Sequence, residues 1–178
     1  MVFVNSRAVA DRVPANLSAD LDAERDVELV LAFLNTCDVE ADTDALESAD
    51  RWREWSAARG LGEAGDQGRA RRVRRAMRDA VSCASAAEPE QISLPVPVVL
   101  REGVPVLGGH DALSRVLAAS VHLVHTGHWD RIKICPAEDC LWAFYDRSRN
   151  KSRTWCSMRV CGNREKARSW RERHTAAG

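Results

Sequence analysis

Four cysteines near the C-terminus carry the most definite chemistry in the chain. They stand as Cys135-Pro-Ala-Glu-Asp-Cys140 and Cys156-Ser-Met-Arg-Val-Cys161, with fifteen residues between the pairs. Two close pairs on a short tether can surround one Zn²⁺ with four thiolates, the closed tetrahedral arrangement of a structural site. Disulfides and redox thiols are the competing readings. The first ten residues show no long apolar core and no lysine-led start of the kind a secretory signal has. In a reducing cytosol, close cysteine pairs are more often metal ligands or redox groups than bridges. Redox motifs usually place two residues between the cysteines, and both pairs here have four. A catalytic zinc needs an open position. His128 and His174 flank the set, but four thiolates already close the shell. The expectation is therefore one structural Zn²⁺ held by Cys135, Cys140, Cys156 and Cys161. The segment is too short for a large core, so metal binding would supply folding free energy its apolar residues cannot. Cys37 and Cys83 lie upstream on helical patterns and read as buried small residues.

Length and charge constrain the rest. A chain of 178 residues suits one domain, or one domain plus a small module. No run approaches the ~20 consecutive apolar residues that span a bilayer, so a cytoplasmic protein is expected. The formal net charge of zero hides an asymmetry. From Arg131 onward there are twelve Lys/Arg against five Asp/Glu; the remainder carries fourteen against twenty-one. Such a split marks a nucleic-acid-facing part joined to a part with another job. The alternative is that the basic half docks on the acidic half.

The elements that must position the cysteines follow from periodicity and capping. Residues 1–22 read as an irregular start, in which Val2, Phe3 and Val4 suggest a short edge strand. A helix is predicted from about Ala23 to Leu34, with Val27, Val30, Leu31 and Leu34 on one face and Asp20 or Asp22 as its cap. Ser48 should cap a helix carrying Trp52 and Trp55 that stops at Gly60. A third helix, Arg69 to Ser85, turns Val73, Met77, Ala80 and Val81 inward. Arg71, Arg72, Arg74, Arg75 and Arg78 occupy its other faces and read as solvated partners of nearby acids. Ile92 to Leu107 has strand composition around an Arg101-Glu102-Gly103 turn, a β-hairpin whose prolines confine it to an edge. Asp111 should cap a helix from Ala112 to His125. The cysteine segment reads as strand (Ile132–Ile134), cysteine loop, strand (Trp142–Tyr145), turn, cysteine pair and a helix to His174. The fold class is thus α+β: a mainly helical N-terminal domain with a small β-hairpin over residues 1–127, plus a four-cysteine zinc module over residues 128–178.

Several runs resemble the CGNR-type zinc-finger proteins of bacteria. They are Asp130-Arg131-Ile132-Lys133, the stretch from Trp142 to Asn150, Trp155-Cys156-Ser157-Met158, and Cys161-Gly162-Asn163-Arg164. Upstream, Phe33-Leu34-Asn35-Thr36 and Trp55 followed by Gly60-Leu61 are similar to the ABATE domain, the usual partner of that zinc finger. The resemblance implies a transcription regulator, active in stress responses, with a zinc-bound C-terminal module that binds DNA.

In that role Arg147, Arg149, Lys151 and Arg153 would sit on a loop against phosphates, and Arg159, Arg164, Lys166, Arg168 and Arg171 on the final helix, where an arginine can read guanine. Arg164 is also a candidate for a bridge to Asp146 inside the module. Trp142, Phe144 and Trp155 read as the small core around the zinc, and Trp170 as exposed. The N-terminal domain would bind a small-molecule effector or a second copy of itself. No catalytic set stands out, so an enzyme is not expected. The competing class is a zinc-stabilised protein-interaction adaptor without specific DNA binding.

Overall fold

A computed structural model of the chain describes residues 15–82 and 91–175. Four helices form its N-terminal part: α1 (Ala15–Leu34), α2 (Ala49–Ala58), α3 (Gln67–Val81) and α4 (Ala112–His125). Two small antiparallel hairpins join them, β1–β2 (Cys37–Asp38 with Thr43–Asp44) and β3–β4 (Val98–Arg101 with Val104–Leu107). A third hairpin, β5–β6 (Ile132–Ile134 with Ala143–Tyr145), opens the cysteine segment, and α5 (Asn163–Thr175) closes it. The α+β class with a four-cysteine module is as expected.

Capping accounts for three of the helix starts. The side chains of Ser48, Asp66 and Asp111 accept from the amides of Arg51, Arg69 and Ser114 respectively, each satisfying a donor that a helix start leaves unpaired. The start of α1 corrects the sequence reading. The helix begins at Ala15, so residues 15–22 are helical and not an irregular lead, and Asp20 and Asp22 lie within it. Residues 15–22 lack the apolar stripe that marks residues 27–34, and periodicity alone gives no signal there. Val2 to Val4 and Cys83 lie outside the described residues. Cys37 is in strand β1, half-buried, and not on a helix.

Two apolar clusters fill the interior. The first gathers Phe33, Trp52, Val73, Leu113 and Val116 from α1, α2, α3 and α4, with Leu46 from the segment between β2 and α2. Trp52 is fully buried and its indole N–H donates to the Ala64 carbonyl at 2.8 Å, so the ring's one polar atom is satisfied. The second joins Val27, Val30 and Leu34 of α1 with Leu123 of α4 and with Ile132, Ile134 and Ala143 of the β5–β6 hairpin. The cysteine segment therefore stands on the helical part through a shared core. Asn35 reinforces the seam: its side-chain amide donates to the Ala143 carbonyl at 2.9 Å and its oxygen accepts from the Ala143 amide at 2.7 Å, as a paired strand would. Arg78 adds a second bridge, donating to the carbonyls of Leu34 and Leu141, both at 2.7 Å.

The arginine face of α3 is only partly solvated. Arg74 points inward and is buried, gripping the Asp44 carboxylate with two N–H groups at 2.5 and 2.7 Å and the Thr36 hydroxyl at 2.8 Å. Burial raises the Asp44 pKa, but the Arg74 hydrogen bond and its charge outweigh this, and the carboxyl rests below its ordinary value.

Candidate metal centre and its basic surface

The two cysteine pairs arrive from different elements. Cys135 directly follows strand β5, and its amide donates to the Trp142 carbonyl at 2.9 Å, which keeps the hairpin closed beneath the loop. Cys140 closes a tight turn, its amide donating to the Ala137 carbonyl at 2.9 Å. Cys156 precedes a wide helical turn over Met158–Gly162 that runs into α5, and Cys161 lies in that turn. Ser157 caps the turn through the Val160 amide. A one-residue widening at a helix start re-aims the backbone locally and is frequent at functional sites.

The four sulfur atoms converge. All lie within 4.8 Å of one another, and Cys140 to Cys156 and Cys156 to Cys161 are each 3.5 Å apart. Tetrahedral zinc with Zn–S bonds of about 2.3 Å needs its sulfurs about 3.8 Å apart, so the set fits one zinc ion. Burial, with Cys140 and Cys135 close by, pushes the Cys161 thiol up to about 11, and burial with its cysteine neighbours pushes Cys156 higher still. Cys135 goes down: burial opposes ionisation, but amide hydrogen bonds at Cys156 and Ala137 favour its thiolate. Four thiols this close ionise together only around a cation, whose charge inverts the local pKa order. Around them Phe144, Ala137 and the half-buried Trp155 form a small apolar shell. Trp142, expected in that shell, is instead exposed at the module's edge.

Gly162 is held by close approach. A Cβ there would stand 2.6 Å from the Met158 sulfur and 3.2 Å from Trp155 Cδ1. Its backbone angle is ordinary, so space and not conformation selects glycine.

Beside the metal centre the chain builds a basic arch on one buried carboxylate. Asp146 follows β6 and is fully buried. It accepts from Lys133 Nζ at 2.6 Å, the Ser148 amide at 2.8 Å and the Arg153 amide at 2.9 Å. Burial alone would raise its pKa; these donors, Lys133 first, hold it well below the carboxylate range. Lys133 also donates to the carbonyls of Lys151 and Arg153 at 2.5 and 3.0 Å, and Arg131 to those of Asp146 and Ser148 at 3.0 and 2.8 Å. The loop from residue 146 to 153 is thus fixed at both ends, from strand β5 and from the turn just before it.

The candidate contact residues divide by what already engages them. Arg147, Arg149 and Lys151 project from the arch and are exposed. Arg147 reaches Glu24 at 3.2 Å and Lys151 reaches Asp130 at 3.3 Å, both at the surface. Arg149, Arg159 and Lys166 have no ion-pair partner among the described residues. Arg153 donates to the carbonyls of Trp155, at 2.8 Å, and Cys156, and so braces the approach to the second cysteine pair. Arg168 is surrounded by Glu165, Glu138 and Glu172 on and around α5, and the side chain of Arg171 also lies exposed there. Arg164 corrects an expectation: it pairs with Asp139 and with Glu40 at 3.5 Å, not with Asp146, whose partner is Lys133. Sequence reasoning missed the roles of Lys133 and Asn35. The signal for Lys133 was its polar tip in an alternating strand between two buried isoleucines.

The fold and the cysteine geometry define a helical domain joined to a zinc-finger module. Two family models match the chain: the CGNR zinc finger over residues 131–174, and ABATE, described as "Putative stress-induced transcription regulator", over residues 28–134. The chain belongs to the ABATE family and carries a CGNR zinc finger at its C-terminal end. No curated protein matches it.

Proposed function

We propose that this protein regulates transcription by binding DNA through its zinc module, residues 128–178, with residues 1–127 as the regulatory part. Cys135, Cys140, Cys156 and Cys161 hold one Zn²⁺, which fastens the β5–β6 hairpin to the start of α5. The observation that carries the reading is the arch: a buried carboxylate and Lys133 fix a loop that presents Arg147, Arg149 and Lys151 outward. Phosphate binding needs cations held in place and exposed, and this loop meets both conditions. Arg159 and Lys166 are also exposed, on the wide turn and α5, and are further candidates for phosphate contact. Within the described residues no helix is long and apolar enough to cross a membrane, in keeping with a cytoplasmic site of action. Binding rather than catalysis is the role inferred.

The test is selection of bound fragments from random DNA by the zinc-loaded protein at near-physiological salt. One enriched motif is expected, and its symmetry shows whether a dimer binds. Arg149→Gln should weaken binding and reduce the slope of log affinity against log salt by about 1, with stability within about 0.5 kcal/mol of the parent. No enrichment by folded, zinc-replete protein would sink the reading.

A second reading, the protein-interaction adaptor, draws on the pairing of Arg164 with Glu40 and of Arg147 with Glu24. There the basic surface meets acidic groups of the chain's own helical part, as it would meet an acidic partner protein. Arginine variants that lose a protein partner while DNA behaviour is unchanged would favour it.

A further inference from the structure

A groove of about 1040 Å³ runs between α1 and α2 on one side and the β6 end of the zinc module on the other. Three arginine–aromatic stacks line it: Arg59 over Trp55 with 4.3 Å to the ring centroid, Arg153 over Phe144 at 5.0 Å, and Arg147 over Tyr145 at 5.8 Å. These are all the stacks of this kind among the described residues, and each contributes to this one groove. An arginine held over a ring still has N–H donors at its edge and can offer its outer face to another planar group. Its entropy is already spent, so less is lost per hydrogen bond to a bound anion.

We propose that this groove binds a small aromatic monoanion, an aromatic carboxylate in chemical class. The planar body would lie against the guanidinium faces and against Trp142, which is exposed in the groove and has no ring partner among the described residues. The carboxylate would take the edge donors of Arg59 and, in exchange for its surface contact to Glu24, of Arg147, the fork geometry that pairs with carboxylates. Three acids exclude the polyanions: Glu28, Asp38 and Glu54 also line the groove and have no ion-pair partner among the described residues. A triphosphate or a nucleic-acid strand threaded here would meet them, whereas a single charge can be placed away from all three. The volume lies at the upper end of small-molecule sites. Because the groove is walled by both parts of the chain and by Arg147 at the foot of the arch, an occupant there touches the DNA-facing loop directly. Its role as the effector site rests on the regulator reading; its binding chemistry does not.

The test is isothermal titration calorimetry of the full-length, zinc-loaded protein with 2-naphthoate, and with 2-naphthamide as the neutral analogue of the same shape. Saturable binding of one 2-naphthoate per chain is expected, with the amide weaker by about tenfold or more. Arg59→Gln, on the exposed end of α2 and outside the DNA-facing set, should cost a similar factor, while Arg59→Lys recovers part of it. Unchanged zinc content and circular dichroism guard against misfolding. Hydrogen exchange should slow around residues 52–60 and 141–147 when 2-naphthoate is present. Absence of saturable binding at millimolar 2-naphthoate, equal binding of the amide, or indifference to Arg59→Gln would each overturn the proposal. The titration contains no DNA, so a failed DNA selection leaves it standing, and its own failure leaves the DNA reading standing.

Discussion

Replacing Lys133 by methionine removes the one charged partner that Asp146 has among the described residues. The carboxylate would remain fully buried, with only the amides of Ser148 and Arg153 to stabilise it. Breaking a buried ion pair by deleting one partner costs about 3–5 kcal/mol, because the other charge is left uncompensated. Lys133 retains 19% of its side-chain exposure, so water can partly replace it, and the lower end, about 3 kcal/mol, is expected. The carbonyls of Lys151 and Arg153 also lose a donor but are on the exposed loop, where water substitutes at little cost.

Asp146→Asn alone should cost about 2 kcal/mol by the same reasoning. The double variant buries no ion, so its loss should fall short of the sum by about 1.5 kcal/mol or more. Urea unfolding followed by circular dichroism at pH 7.5 in excess zinc measures all four corners of the cycle. A loss under about 1 kcal/mol for Lys133→Met, or additive losses, would place the pair with ordinary surface ion pairs and refute the anchored arch. A pH titration serves less well. With its native pKa depressed, Asp146 contributes stability that is present above its unfolded value of about 3.9 and is lost as pH falls below it. The cysteine ligands also gain protons in acid and release their metal, so the cycle separates what the titration mixes.

Three further outcomes follow from the same geometry. Cys156→Ser should lower zinc content from one per chain to near none by metal analysis and melt the module, since structural zinc contributes on the order of 10 kcal/mol to such folds; stoichiometric zinc retention would remove Cys156 from the ligand set. Arg74→Leu leaves Asp44 with the more distant Arg71 and the Leu46 amide, and should cost about 2–3 kcal/mol at pH 7 in urea. The Asp44 pKa is depressed in the parent, so the gap between parent and variant should be full above about pH 4 and shrink below it; a gap that widens in acid would contradict the assignment. Gly162→Ala should fold and bind zinc with a loss of about 1–2 kcal/mol in thermal or urea unfolding. The nearest obstacle, the Met158 sulfur, belongs to an exposed and flexible side chain, while Trp155 must give by a few tenths of an ångström. A neutral substitution would mean that the wide turn relaxes freely.

What the sequence disclosed and what it withheld have the same physical origin. The cysteine pairs, the caps at Ser48 and Asp111 and the β5–β6 hairpin were readable because each depends on residues close in the chain. The cysteines are the extreme case: their chemistry is so specific that spacing alone implies a tetrahedral set, and the sulfurs indeed meet. Lys133, Asn35 and Arg74 were not readable as structural groups, because each finds its partner 13 to 108 residues away. A lysine in an alternating strand or an arginine on a crowded helix looks solvated until the fold supplies a buried carboxylate. Asn35 is the most instructive. In the sequence it stands only in the Phe33-Leu34-Asn35-Thr36 run, just past the end of a helix, yet its amide completes a strand-like pairing with Ala143 and ties the helical part to the zinc module. A residue type that ends a helix well is also one whose side chain can mimic a peptide group, and sequence cannot tell the two uses apart. That tie, the Arg78 bridge and the shared apolar cluster all meet at the β5–β6 hairpin, so the helical part packs directly on the strand that carries Lys133 and leads into Cys135.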